Sequence, residues 1–337
     1  MNLPRLISVI FLSLFLPATL YATTLKIATA APEGSSWMRE LRVGATEIKQ
    51  RTEGRVEIKF FAGGVMGNDK SVLRKMRVGQ LHGGVFTTGS LVDIAPDADL
   101  FSLPLIFRSD DEVVYVRSRM DADLKQVIEE SGFACFGFAG GGFALLMSEK
   151  PARTIDAVRG SKIWVPEGDR VSYRAMASLG LSPVTLPITD VMTGLQAGLV
   201  EVIAATPSGA LAFQWHTRIK YVTNTPLSYL YGTLVIDKKV FSKLSSADQQ
   251  VAREVMGKIY VKLDQANRLD NEAATQAMVD TGIVFIDSPA EEIVRWRDVA
   301  DSLVSDMRRE GAFSAVLYDR LQLLLKEYRS GQVTTKP

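Results

Sequence analysis

At 337 residues, 47% hydrophobic and 23% charged, the chain is too long for one ordinary core and suits two. A formal net charge of +1 leaves no overall field to hold nucleic acid or an anionic membrane. One cysteine, Cys135, excludes an internal disulfide, and two histidines, His82 and His216, without a Cys/His cluster exclude a His-rich metal site.

Arg5 supplies a positive start and Leu6 to Leu16 an apolar run, which Pro17 breaks. The run is shorter than the ~20 residues needed to span a bilayer. Ala18-Thr19-Leu20-Tyr21-Ala22 offers a cleavage region, although Leu20 is larger than that position usually takes. Residues 1–22 are therefore expected to be a signal peptide, and the mature protein to be periplasmic.

Thr24 to Ala30 reads as a strand, and Pro32 to Ser36 as a turn with helix-start chemistry. Trp37, Leu41, Ala45 and Ile48 recur at helical spacing up to Arg51. Arg55 to Phe61 alternates as a half-buried strand, and Lys70 to Gly79 is a helix after a Gly-Asn-Asp turn. Gly83 to Thr88 is a buried strand. This βαβαβ opening predicts a mostly parallel α/β sheet with ligand chemistry at the carboxyl ends of its strands.

Asp110 to Ser131 is expected to be helical. Phe133 to Phe138 is expected to be a strand followed by Gly140-Gly141-Gly142 at a crossing between lobes. A second α/β unit comprises strand Lys162–Val165, helix Arg170–Leu179, strand Ser182–Leu186, helix Asp190–Gly198 and strand Val200–Ala205. Leu230 to Ile236 reads as a return strand. Ser245 is an N-cap before a long helix ending near Thr281, roughly 50 Å at ~1.5 Å per residue. Pro289 to Arg329 is again helical. The expected division is lobe I at 24–146 plus about 234–280, lobe II at 147–233 plus about 281–328, and a polar tail at 329–337.

Several stretches in fixed order carry a resemblance. They are GVMGND leading into LRKMRVGQL (Gly64 to Leu81), SLPLIF (Ser102 to Phe107), VRGSKIWVP (Val158 to Pro166), LGLSPVTLPITDVMTGLQAGLVE (Leu179 to Glu201) and the capped helix from Ser245. Together they resemble the substrate-binding subunit of tripartite ATP-independent periplasmic (TRAP) transporters, the DctP-type family. The resemblance covers Lys26 to about Tyr328. It implies a two-lobed α/β fold of mostly parallel sheets with crossing strands, the long helix running along both lobes, and closure over a small molecule. It implies no cofactor, no enzymatic activity and integral membrane subunits as partners.

The chain departs from the family pattern where acid-binding members grip a carboxylate. Their Arg two residues before the Pro is here Trp164, in Ile163-Trp164-Val165-Pro166. A second Arg corresponds to the stretch Gly142-Phe143-Ala144-Leu145, and the Asn of a "GQENP"-like run to Ala205 and Thr206. A buried carboxylate without a partner loses several kcal/mol of solvation. Burying ~300 Å² of apolar ligand instead gains roughly 7–8 kcal/mol gross, consistent with micromolar binding when ordering costs are small. The expected ligand is therefore apolar or amphipathic. The chain is similar to the branch associated with a tetratricopeptide-repeat (TPR) partner subunit, some of whose members also lack the Arg.

The resemblance places Trp37, Phe86, Thr88, Phe143, Trp164, Thr206, Trp215, Tyr229 and Tyr231 near the cleft. Each has a plainer reading: core packing for the aromatics, a strand-end cap for Thr88, the start of the Pro207 turn for Thr206. Phe213 to His216 are expected on one helix. Arg170, four residues past Pro166, keeps an anionic ligand open as an alternative; otherwise it is a solvated helix-start Arg. A ligand-sensing module of the same fold is the other alternative. No G-x-G-x-x-G, Walker, G-x-S-x-G or HExxH motif occurs, so phosphate cradling and hydrolysis have little to build on.

Overall fold

The computed structural model describes residues 22–92 and 94–331, with the Thr88 side chain excepted. The expected signal peptide up to residue 21, and residues 332–337 of the expected tail, lie outside the described residues. No helix among the described residues is long and apolar enough to cross a membrane.

Ten strands are formed among these residues. They are β1 (Thr23–Thr29), β2 (Val56–Phe61), β3 (Gly83–Thr87), β4 (Phe133–Cys135), β5 (Ala139–Ser148), β6 (Lys162–Pro166), β7 (Ser182–Leu186), β8 (Val202–Ala205), β9 (Tyr221–Asp237) and β10 (Val284–Ile286). One hydrogen-bonded path runs β2-β1-β3-β9-β5-β8-β6-β7, with β4 and β10 paired to β9 off it. β1 pairs in parallel with β2 and β3, and β6 in parallel with β7 and β8. The middle is antiparallel, where β9 meets β3 and β5, and β5 meets β8. The parallel expectation thus holds for the two ends of the sheet, and the crossing strands supply the antiparallel centre.

β9 is far longer than the expected return strand Leu230–Ile236. It runs 17 residues, pairing Ile236 with Gly83 at one end of the sheet and Tyr221 with Ser148 at the other. Its inward positions include Thr223 and Thr225, both buried, so polarity hid the alternation that burial obeys.

The three glycines lie inside β5 and not after a strand. A Cβ on Gly140 would stand 1.9 Å from the Tyr229 hydroxyl. Gly142 has φ 101°, and its Cβ would stand 2.7 Å from Asn271 Nδ2. The glycines let β5 pass hard against β9 and the long helix, with a shift in register between Gly140 and Gly142.

The long helix spans Ser246–Asp280, capped by Ser245, whose hydroxyl accepts from Asp248 N at 3.1 Å. Its first half packs on the helix Ser36–Arg51, where a Cβ on Gly44 would meet Ile259 at 2.8 Å. Its second half holds the crossing. Asn271 donates to Gly141 O at 2.8 Å and accepts from Ser208 N at 3.1 Å. Asp264 accepts from Gly140 N at 2.7 Å and pairs with the buried Arg117.

Three apolar clusters form among the described residues. One lies under the β2-β1-β3 end, with Leu25, Met38, Leu41, Ile48 and Val255. A second lies at the β8-β6 end, with Met147, Ile203, Trp215 and Val222. The largest joins the helices Asp110–Glu130, Ala290–Arg309 and Ala315–Arg329 through Val116, Met120, Trp296 and Leu321.

Candidate ligand cavity

A cavity of about 750 Å³ opens where β1, β3, β6 and β8 end. Residues at those carboxyl ends line it: Thr29, Phe86 and Thr87, Trp164 to Pro166, and Ala204 to Thr206. This is where strand ends leave backbone and side chains free to converge on a ligand.

Its wall is largely aromatic and aliphatic. Trp37 stands edge-on to Tyr260 at 6.1 Å and covers Gly232. Trp164, 5% exposed, donates its Nε1 to Leu186 O at 2.9 Å and meets Trp215 edge-to-face at 5.1 Å. Its polar atom is thus spent inside the protein, and only ring surface faces the cavity. Phe213 stacks on Trp215 at 4.9 Å. The expected single helix over Phe213–His216 is not formed. The helix Pro207–Ala212 ends there, Gln214 turns left-handed at φ 62°, and a 3₁₀ turn follows at Trp215–Arg218. That reversal brings the two rings together.

The charged part of the wall is mostly acidic. Asp69, Asp99, Glu167, Asp169 and Asp270 line the cavity, and among the described residues Arg39 is the one cation that does. Asp69 opens the helix Asp69–Arg77 and accepts from the Ser90 hydroxyl. Asp169 caps the helix Arg170–Ser178, accepting from Ser172 N at 2.8 Å. A Cβ on Gly89 would stand 3.5 Å from Asp169 Oδ2 and 3.8 Å from Asp99 Oδ1, so these two carboxylates flank one glycine. Asp69 and Asp169 are half-buried at the cavity wall. Burial pushes the Asp69 carboxyl up, the Ser90 hydrogen bond pulls against it, and the Glu167 charge adds to the rise. Burial likewise pushes Asp169 up, against its bonds from Ser172 and Val171. No group of three or more His, Cys, Asp or Glu among the described residues is placed to hold a metal ion.

Of the residues expected near the cleft, Trp37, Phe86, Trp164, Thr206, Trp215 and Tyr231 line the cavity. Thr206 spends its hydroxyl as an N-cap, accepting from Gly209 N at 3.1 Å. Tyr231 donates its hydroxyl to Ala98 O. Phe143, Tyr229 and Arg170 stand off the wall. Phe143 packs against Tyr229 at 5.3 Å, and Tyr229 is pushed up to about 12 by burial, a neutral phenol wedged at Gly140. Arg170, the first residue of the helix Arg170–Ser178, is exposed. The Thr88 side chain lies outside the described residues. The carboxylates and Trp296 were missed. Asn68 and Asp169 carried a signal, since cap-type residues just after predicted strand ends or turns point where ligands bind.

Three likenesses bear on this geometry. A solute-binding protein of Chromohalobacter salexigens is 23% identical over 269 residues, 78% of this chain and 79% of that one. A TRAP periplasmic solute-binding protein of Xanthobacter autotrophicus, solved with β-D-galacturonate, superposes with a TM-score of 0.82 at 18% identity, covering 90% of this chain and 99% of that one. A Bordetella pertussis extracytoplasmic solute receptor binding pyroglutamic acid gives 0.83 at 17% identity, over 90% and 100%. The fold is theirs. The family model described as bacterial extracellular solute-binding protein, family 7, matches residues 27–310, and the chain belongs to that family, the DctP-type solute-binding proteins.

Proposed function

We propose that this chain is the periplasmic solute-capture component of a TRAP-type secondary transporter and closes over a small apolar or amphipathic ligand. The observation that carries the ligand class is the cavity wall: Trp37, Phe86, Trp164 and Trp215 around about 750 Å³, with Arg39 as its one cation among the described residues. Arg39 is exposed at the first helix and donates to Gly34 O. A deeply held carboxylate would find no guanidinium to replace its lost water.

The two lobes are residues 24–146 with about 234–280, and 147–233 with about 281–328, joined through β5 and β9. Integral membrane subunits receive the ligand, and a TPR-type subunit is a further partner. The signal peptide at 1–22 directs export. A carboxylate-binding reading draws support from the galacturonate and pyroglutamic acid held by the two structural neighbours. In this chain it would rest on Arg39, since Arg170 stands off the wall.

Native mass spectrometry of gently purified protein, followed by organic extraction, tests the ligand class. A co-purifying apolar or amphipathic molecule is the expected result. Strong thermal stabilisation by small dicarboxylates or uronates, abolished by Arg39→Ala, would overturn it.

A further inference from the structure

The cavity continues past Trp164. Trp164 and Val165 are successive residues of β6, so their side chains point to opposite faces of the sheet. Trp164 joins the cluster with Trp215, and Val165 joins the cluster with Trp296. Both line the cavity, which therefore reaches both faces at the end of β6.

On the Val165 face it runs between two helices. Val171, Ala175, Met176 and Leu179 line it from the helix Arg170–Ser178 and its C-terminal cap. Trp296, Val299, Ala300 and Leu303 line it from the helix Ala290–Arg309. Each set recurs at helical spacing and forms the stripe that a helix turns to its neighbour. At the middle of each stripe stands an alanine, Ala175 or Ala300, and these short side chains leave room that Leu-sized ones would fill. Leu105 and Leu227 complete the wall, with Leu105 N donating to Leu227 O at 2.6 Å. Leu105 holds a left-handed φ of 54°, uncommon for a leucine.

This branch is narrow, sheltered and apolar. Leu179 is 8% exposed and Leu303 5%, although both face the cavity. None of the side chains named here carries a charge, and a water seated among them would lack the polar partners that hold one. From Val171 to Leu179 the stripe covers about 12 Å at ~1.5 Å per residue. A compact ligand held at the tryptophans leaves this space empty, whereas a thin, flexible chain fills it.

Resting on the proposed apolar reading of the cavity, we propose that the ligand is an amphipathic molecule with one unbranched aliphatic tail. The tail threads between the helices Arg170–Ser178 and Ala290–Arg309, and the more polar end stays at the strand ends. A zigzag chain with bonds about 1.5 Å long places roughly eight to ten carbons in the branch.

The test uses the full mature chain and isothermal titration calorimetry with 1-hexanol, 1-octanol, 1-decanol and 1-adamantanol. The last matches 1-decanol in carbon count and hydroxyl but is compact. Affinity is expected to rise about two- to fourfold per methylene, so that decanol binds about tenfold or more tighter than hexanol and tighter than adamantanol. Ala175→Leu and Ala300→Leu fill the branch from either helix and keep a good helix former. Each is expected to cut the decanol-to-adamantanol affinity ratio about tenfold. The tail is overturned if affinity does not rise with chain length, if adamantanol matches decanol, or if both folded variants keep the wild-type ratio. The chain-length series decides alone should neither variant fold. A compact or ring-bodied apolar molecule extracted from the purified protein would overturn the tail while leaving the apolar-cavity reading intact. A uronate or dicarboxylate would overturn both.

Discussion

Asn68 donates its side-chain amide to the Glu167 carboxylate, and this hydrogen bond ties the helix Asp69–Arg77 to the turn after β6. The same Asn68 accepts from Ser71 N at 2.9 Å as the helix cap, so one residue both starts a helix and fastens it across the cavity mouth. Nearby, a Cβ on Gly64 would meet Thr189 at 2.5 Å, so the two sides also touch without polar help. A strap of this kind acts on release more than on encounter, because it forms only once the sides have met. Glu167→Ala is therefore expected to raise the ligand off-rate about three- to tenfold and leave the on-rate within about twofold. Stopped-flow tryptophan fluorescence would show it, and an unchanged off-rate would remove Glu167 from the strap.

The acidic end of the cavity should weaken the empty protein. Burial holds Asp169 above the usual carboxylate range. A group whose folded pKa is raised gives the native state the tighter grip on its proton, so stability falls as pH rises from about 4 through the folded value. Asp169→Asn removes that penalty and keeps a good N-cap on Ser172. The variant without ligand is expected to melt a few degrees higher than wild type at pH 7 and no higher at pH 4. Calorimetry at both pH values checks it. An equal shift at the two would mean that the gain does not come from the charge.

The opposite sign holds at the start of the long helix. Asp248 is buried and meets Arg55 at 3.0 Å, a hydrogen bond that holds its carboxyl below the usual range, with the Ser245 cap adding to this. The pair anchors the long helix to the turn before β2. A depressed carboxylate pKa contributes stability that is present above about 4 and lost as pH falls through the folded value. Asp248→Asn should lower the urea midpoint at pH 6, and the gap from wild type should narrow towards pH 3. A gap that stays constant down to pH 3 would mean that the ion pair contributes nothing.

How legible was this molecule in its sequence? Elements with an apolar period and a cap were plain: the helix Ser36–Arg51 after Ser35, the helix from Ser246 after Ser245, and β7 at Ser182–Leu186. The first half of β9 was not, because Thr223 and Thr225 are buried with hydrogen-bonded hydroxyls and break the apolar alternation without breaking the strand. In the cavity the aromatic wall was largely legible through Trp37, Phe86, Trp164 and Trp215. The carboxylates were hidden by ordinariness. Asp69 reads as a first-turn acid and Asp169 as a cap, and in each case the local role is true while the cavity lies on the other side of the same group. Arg170 drew attention by its charge, although its neighbour Asp169 is the residue that faces inward. Which of two adjacent residues points into a cavity depends on tertiary placement that no window of sequence carries.

The glycines of β5 offer a mechanical prediction. Gly142 has φ 101°, and Asn271 Nδ2 occupies the space that a Cβ would need. Asn271 also links β5 to the helix Pro207–Ala212 through Gly141 and Ser208. Gly142→Ala therefore combines left-handed strain with displacement of a bonded amide. It is expected to cost about 2–4 kcal/mol in denaturant unfolding. Gly141→Ala meets nothing closer than 3.4 Å and should cost well under half as much. Similar losses for the two variants would mean that the crossing does not depend on close approach at Gly142.

Trp164 remains the sharpest probe of the wall. It stands two residues before Pro166 with its ring edge on Trp215, and its Nε1 bond to Leu186 O fixes the plane of the indole. Trp164→Phe keeps a ring against the ligand and leaves Leu186 O short of one donor. A few-fold weaker binding and about 1–2 kcal/mol lower stability are expected. Trp164→Arg is the discriminating change. It exchanges an apolar face for a cation in the cavity, where Asp169 and Glu167 also stand. The variant should lose about tenfold or more in affinity for the co-purifying ligand, since the contact area of the indole goes and a charge must be desolvated against an apolar body. It should also gain measurable affinity for 4-phenylbutyrate, because a guanidinium replaces the water that a carboxylate loses on entry. Calorimetry with both ligands reads the exchange directly. If Trp164→Arg binds the co-purifying ligand as wild type does, the indole packs behind the wall, and the cavity face of β6 begins at Val165 instead.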